Sequence, residues 1–244
     1  MRYHSPLLNQ LQQALQTYTG DDFVDASEVI AINRIRHPMR AHDIKHGVIS
    51  PHAGVLVLLT NEPSPRLLLT RRSSHLNSHA GEVSLVGGKV DQDDKDIVFT
   101  ALREATEEVA LPANQVHLMG LLPMQLSKAN LLVRPVVAVI TPSVAETLCA
   151  SEDEIARLFW VELEYFLNTL PTSYRFDIDD KGKTHPKNHL TTPSAYLHTP
   201  AWLYDGEIIW GMTGRILANL LLIGFDKHLD WEYRLLTPHS PISP

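Results

Sequence analysis

Apolar residues recur along this chain with two periods, and each period predicts an element. Leu8, Leu11, Leu15 and Tyr18 fall on one stripe at helical spacing, which predicts a surface-packed helix over residues 7–18. Residues 54–60 form an apolar run short enough for a buried strand. After a turn at Asn61-Glu62-Pro63-Ser64-Pro65, a strand over 66–70 completes a hairpin. A further strand is expected over 81–86, leading into a turn at Gly87-Gly88. The acidic stretch Asp91-Gln92-Asp93-Asp94 then opens a helix over 96–109, where negative charge suits the positive end of the helix dipole. Val98, Ala101, Leu102, Ala105 and Val109 make its apolar stripe and should pack on a sheet, with the glutamates of the helix projecting the other way. Pro112 is a plausible stop.

Residues 116–122 and 131–141 read as further strands. Pro135 inside the second argues for an edge position or a bulge, because proline cannot donate to the ladder. Ser151-Glu152-Asp153-Glu154 is placed to cap a short element. Residues 171–200 are polar and irregular and read as a long loop, which suits a ligand-covering or partner-contacting role. Residues 213–225 predict a final helix that buries Ile216, Leu217, Leu220, Leu221 and Ile223. The expected fold class is α/β (α+β): a mixed sheet with helices packed on both sides. An N-terminal helical arm takes residues 1–47, the main domain 48–225 and a C-terminal tail 226–244.

Composition narrows the function. The chain has 244 residues, 44% hydrophobic and 20% charged, which is ordinary for a globular protein. No apolar run approaches the roughly 18 to 20 residues needed to span a bilayer. The N-terminus lacks the apolar core of a secretory signal. Cys149 is the single cysteine, so no internal disulfide forms, which fits a reducing, cytoplasmic compartment. A net charge of −7 gives no support to a nucleic-acid surface. Any phosphate-bearing ligand must instead be held by local cations or a metal. Arg34, Arg36, Arg40 and Lys45 could face phosphate, although a solvated surface is the simpler role for them. A small-molecule substrate is the expected partner, with no nucleic acid and no membrane, and a homodimer is compatible with the chain.

The candidate chemistry lies in Arg103-Glu104-Ala105-Thr106-Glu107-Glu108-Val109. Positions three and four apart on a helix are neighbours, so Glu104, Glu107 and Glu108 crowd together and repel one another. A hard divalent cation with oxygen ligands would remove that repulsion, which points to a magnesium or manganese site. A solvated acidic face is the competing reading of such a cluster taken alone.

These residues resemble the Nudix hydrolase family. Its motif runs Gly, five residues, Glu, seven residues, then Arg-Glu-apolar-x-Glu-Glu-x-Gly-apolar. Gly88, Arg103, Glu104, Glu107, Glu108 and Leu111 match it. Asp94 stands where the first glutamate belongs, with one extra residue before Arg103, and Ala110 replaces the late glycine. The run Thr100-Ala101-Leu102-Arg103-Glu104 is similar to the coenzyme A pyrophosphatase branch. So is the upstream pattern Leu68-Leu69-Thr70-Arg71-Arg72-Ser73, Leu76, His79-Ala80-Gly81-Glu82-Val83, Gly87-Gly88. Three positions depart: Leu85-Val86 replaces Phe-Pro, and Asn77 stands where arginine is frequent. Ser151-Glu152-Asp153-Glu154-Ile155 and Trp210-Gly211-Met212-Thr213 also resemble that branch.

The resemblance implies an α/β/α sandwich and hydrolysis of the pyrophosphate bond of coenzyme A or its derivatives. The products would be adenosine 3′,5′-bisphosphate and 4′-phosphopantetheine, free or acylated. It implies that Glu104 and Glu108 bind magnesium or manganese, with Glu107 as a further ligand or base. Arg103 would pin the carboxylates. Arg72, Ser73, His79, Gly87 and Gly88 would contact substrate. Spacing does not assign the group that takes the proton from water; Glu152 and Glu154 are candidates. His75 and His79 could share a metal only if they sat on a helix, and the segment reads as loop. Trp210 reads as core and Cys149 as structural. Hydrolysis of ADP-ribose or NADH is the alternative activity, and a non-catalytic binding module of the same shape is the alternative class.

Overall fold

In the computed structural model, residues 1–18, 51–75, 79–127, 131–180, 184–187, 190 and 193–236 are described. The basic residues Arg34, Arg36, Arg40 and Lys45 lie outside them, as do Leu76 and Asn77. The elements follow in chain order: α1 (Pro6–Thr17), β1 (Ala53–Thr60), β2 (Arg66–Arg72), β3 (Val83–Ser84), β4 (Val86–Lys89), α2 (Ile97–Val109), β5 (His117–Leu121), β6 (Gln125–Leu126) and β7 (Leu132–Ile140). Then come α3 (Pro142–Ala145), β8 (Ile155–Glu162), α4 (Leu163–Asn168), β9 (Thr172–Ile178), β10 (Thr184–Pro186), β11 (Ala195–Tyr204), β12 (Glu207–Ile209), α5 (Gly211–Phe225) and β13 (Arg234–Leu236). No helix of the described residues is long and apolar enough to cross a membrane.

Among the described residues, eight strands form a mixed sheet. Its central pair, β1 and β7, is parallel, and the remaining pairs are antiparallel. β1 and β7 are buried along their whole lengths, the pattern of strands covered on both faces. Val57 and Leu59 pack toward α1 and α5, while the alternate residues Leu56 and Leu58 pack toward α2. The fold is therefore the expected α/β sandwich, with helices on both sides of a mixed sheet.

The structure corrects several local expectations. Pro135 lies on β7, a central strand with β1 on one side and β5 and β6 on the other. Its carbonyl accepts from the Leu122 N–H at 3.0 Å. The nitrogen of an extended residue faces the same way as its carbonyl. The missing donor therefore meets the break between β5 and β6, where little is lost.

Residues 171–200, read as a loop, instead carry β9, β10 and the start of β11. With β12 and β13 these strands form a second, antiparallel sheet. Phe176 and Ile178 of β9 and Leu197 and Ala201 of β11 build its core with Trp210. That alternation is present in the sequence but is interrupted by Pro200 and by the buried Asp177. β13 falls in the segment read as a tail. Arg71 and Arg157 tie this sheet to the first: both donate to Glu207, at 3.3 and 2.9 Å.

Candidate active site

Gly87 and Gly88 do not form a turn. They lie in β4, opposite Val55 and Gly54 of β1. The expected strand over 81–86 is divided at Leu85 into β3 and β4. Glycine is needed here for close approach. A Cβ on Gly87 would stand 2.3 Å from the Gly54 carbonyl oxygen, and the Gly87 φ of 145° disfavours other residues. A Cβ on Gly88 would stand 2.3 Å from the Glu104 carboxylate. The catalytic-helix candidate α2 thus rests its acids directly on bare backbone.

α2 starts one residue later than expected, with Asp96 as its N-cap accepting from the Phe99 N–H at 2.8 Å. The acidic stretch does not open the helix. It folds into a turn ahead of it, in which the Asp94 carboxylate accepts from the Asp91 N–H at 2.8 Å. That turn aims Asp94 back at the helix. Arg103 Nε and Nη2 grip Asp94 at 2.9 and 3.1 Å. The same guanidinium reaches Glu104 at 3.0 Å, Glu107 at 3.0 Å and the Lys89 carbonyl at 3.0 Å. Asp94 is held well below the usual carboxylate range, first by Arg103 and further by Asp91 and Thr100, while Arg103 is raised chiefly by Asp94. α2 ends with Ala110 in the left-handed region at φ 55°. The Ala110 and Leu111 N–H groups bond back to Thr106 and Ala105 at 3.1 and 3.3 Å.

The glutamates do not all project away from the sheet. Ala101, Ala105 and Glu108 lie four and three residues apart, so Glu108 continues the buried stripe and is only 4% exposed. Its carboxylate accepts from the Gly87 N–H at 2.9 Å and faces Arg72 Nη1 at 3.4 Å. Burial pushes Glu108 up to about 7. The Gly87 donor and Arg72 oppose that rise, and Glu154 and Glu104 add to it. Glu104 is also raised, first by burial, with Glu107 and Glu154 adding and Arg103 opposing. Glu107 is mostly exposed and turned to Arg103.

The acids therefore form two groups on one helix. Among the described residues, no three of them already converge as a preformed ion cage. The donor set still fits a hard divalent cation: Glu104 and Glu108 would offer oxygen ligands one turn apart, and each is charged only against burial and mutual repulsion.

A cavity of about 250 Å³ opens beside Gly87 and Gly88. Arg72 and His79 line it together with this glycine pair. Ser73 is buried and donates its N–H to the Glu154 carbonyl at 2.7 Å. Glu154 lies near enough to Glu104 and Glu108 to raise both. His79 pairs with Glu82 at 2.8 Å and not with His75. Trp210 is core, stacked on Phe176 at 3.9 Å between ring centres, and it also reaches the cavity. Cys149 is exposed.

Sequence reasoning missed three groups. The motif position marks Asp94 but carries no signal of its grip on Arg103. Arg215 lines the cavity from α5, and its signal was its place four residues after Gly211, hence on the same helix face. Tyr233 reaches the cavity from the tail and had no local signal.

A family model described as the NUDIX domain matches residues 50–178. The protein described as the uncharacterized Nudix hydrolase NudL of Yersinia enterocolitica (serotype O:8 / biotype 1B) is 40% identical over 171 residues. That alignment spans 70% of this chain and 80% of the relative. Its counterpart in Yersinia pestis (strain Pestoides F) is 38% identical over 168 residues, spanning 69% and 77%. A C. elegans Ap4A hydrolase, solved as a binary complex, aligns over 46% of this chain and 80% of its own, with a TM-score of 0.40 and 23% identity.

Proposed function

The chain belongs to the Nudix hydrolase family, and from that membership we propose that it cleaves the pyrophosphate bond of coenzyme A or its derivatives, with magnesium or manganese. The products are adenosine 3′,5′-bisphosphate and 4′-phosphopantetheine, free or acylated. One observation carries the reading. The cavity wall includes residues that resemble the coenzyme A pyrophosphatase motif, Arg72, His79, Gly87 and Gly88, and of these Arg72, Gly87 and Gly88 adjoin the acids of α2.

Glu104 and Glu108 would hold the ion, with Glu107 as a further oxygen ligand. The bound ion neutralises diphosphate charge and acidifies water, which two repelling phosphates otherwise keep away. The chain's own residues do the rest. Arg103 fixes the orientation of Glu104 and anchors Asp94. The Gly87 N–H orients Glu108. Arg72 stands between Glu108 and the cavity, where a guanidinium meets phosphate oxygens with matched geometry.

A substrate panel of coenzyme A, acetyl-coenzyme A, ADP-ribose and NADH with either ion tests this, with products identified by mass. Coenzyme A species are expected to turn over fastest. ADP-ribose cleaved much faster than coenzyme A would overturn the assignment.

A further inference from the structure

The segment after α5 returns to the cavity by a fixed route. Trp231 lies against Gly214 of α5, where a Cβ would stand 2.3 Å from its ring. It also meets Trp202, with 5.2 Å between ring centres. Further on, Arg234 of β13 pairs with His198 of β11. Tyr233 is held between these two anchors. It packs against the core of the second sheet and lines the cavity, as do Trp210 and Met212. Its position is set by the fold rather than left to a free tail. α2 and α5 pack on opposite faces of the mixed sheet, so the wall built from α5 and Tyr233 stands away from the acids.

The chemistry of the wall divides in the same way. Arg72 and Lys89 belong to the acids' end: Arg72 faces Glu108, and the Lys89 carbonyl accepts from Arg103. Elsewhere Val83, Leu85, Leu131 and Val133 give an apolar surface. The hydroxyls among them are engaged within the chain. Thr213 donates to the Val83 carbonyl at 3.0 Å, Ser84 lies 3.2 Å from the Thr70 hydroxyl, and the Ser127 oxygen accepts from the Leu131 N–H at 2.9 Å. Arg215 is tied to the Leu126 carbonyl, and His79 to Glu82. A nucleobase has polar edge atoms that would lose water here without comparable partners. Trp210 gives it no stacking platform, because that ring is buried and stacked on Phe176. An alkyl chain needs neither, and it gains by leaving water.

We propose that this end of the cavity is an apolar subsite for the chain of an acyl-coenzyme A, and that Tyr233 is the specificity-determining residue that closes it. The inference rests on the coenzyme A reading above and narrows it. A thioester carrying several carbons is the preferred substrate, and free coenzyme A is a poorer one. The bond cleaved is still the diphosphate, and the thioester stays intact.

The test measures kcat/KM with magnesium for free, acetyl- and hexanoyl-coenzyme A, with products identified by mass, on the unaltered protein, Tyr233→Phe and Tyr233→Ala. The unaltered protein is expected to prefer the hexanoyl over the acetyl thioester by roughly ten- to hundred-fold, at up to about fourfold per methylene buried. Tyr233→Phe should keep that ratio, since the ring and not the hydroxyl forms the wall. Tyr233→Ala should collapse it toward one, mainly through KM. A ratio near one in the unaltered protein overturns the subsite and leaves the coenzyme A reading standing. A Tyr233→Ala variant that slows both thioesters equally overturns the assignment to Tyr233, since that is the signature of a ring that only supports the fold. Cleavage of no coenzyme A species overturns the coenzyme A reading and this inference with it.

Discussion

α2 carries acids on two flanks, and the flanks are neutralised differently. On one, Glu104 and Glu107, joined by Asp94 from the turn ahead of the helix, share the guanidinium of Arg103, and Asp94 is held ionised. On the other, Glu108 is buried against Gly87 with Arg72 at 3.4 Å, and it is pushed up to about 7 by burial and by its acidic neighbours. Glu104 belongs to both. The first flank brings its own cation and is built to be stable. The second flank is short of positive charge, and a divalent ion would supply what it lacks. On the proposed reading the first flank positions and the second binds, although their acids lie close together in the chain.

The comparison breaks most sharply at Glu108. Glu108→Gln keeps an oxygen for the Gly87 N–H but removes the charge. Turnover should fall by about a thousand-fold or more. The metal-free protein should be no less stable than the unaltered one at pH 8 in a thermal melt. A large loss of stability there would show that Glu108 is structural.

Arg103→Met attacks the other flank. It strands the Asp94 carboxylate, whose side chain is almost fully enclosed. Stability should fall, to be read from denaturant unfolding. Loss of activity with unchanged stability would merge the two flanks into one.

The pH dependence should also divide them. Glu108 rises from 4.5 to about 7 on folding. Between those values the folded chain binds a proton that the unfolded chain has released, so stability of the metal-free protein falls as pH rises through the window. The loss is up to about 3 kcal/mol. Asp94 works in the opposite sense: its contribution is present above its ordinary value of 3.8 and is lost only at lower pH. Melting curves from pH 4.5 to 8 check the sign. The smallest effect is expected at Ala110, outside both flanks. Its left-handed φ of 55° suits glycine, so Ala110→Gly should stabilise by about 1 kcal/mol.

The paired helices and the central strands were legible in the sequence because their burial follows single periods. Leu8, Leu11 and Leu15 mark α1, and the unbroken run of β1 marks a strand covered on both faces. The acids of α2 were legible for the same reason, but the expectation that all of them project away from the sheet fails at Glu108, which keeps register with Ala101 and Ala105. What could not be read depends on contacts between distant segments. The Gly87-Gly88 pair resembles a turn locally, and only the approach of β1 and Glu104 shows it to be strand. Pro135 is tolerated in mid-sheet because its partner strand is broken there. The second sheet hides its alternation behind Asp177 and Pro200, and Tyr233 reaches the cavity from a segment with no periodic signal.

The central claim is that Glu104 and Glu108 form a cation site completed from outside the chain. Equilibrium binding of manganese without substrate, measured at pH 6 and pH 8 on the unaltered protein and on Glu108→Gln, tests it most directly. The account predicts tighter binding at pH 8, as the ion displaces the proton from Glu108, and a large loss in the variant. Binding that is equal at both pH values and survives the substitution would contradict it.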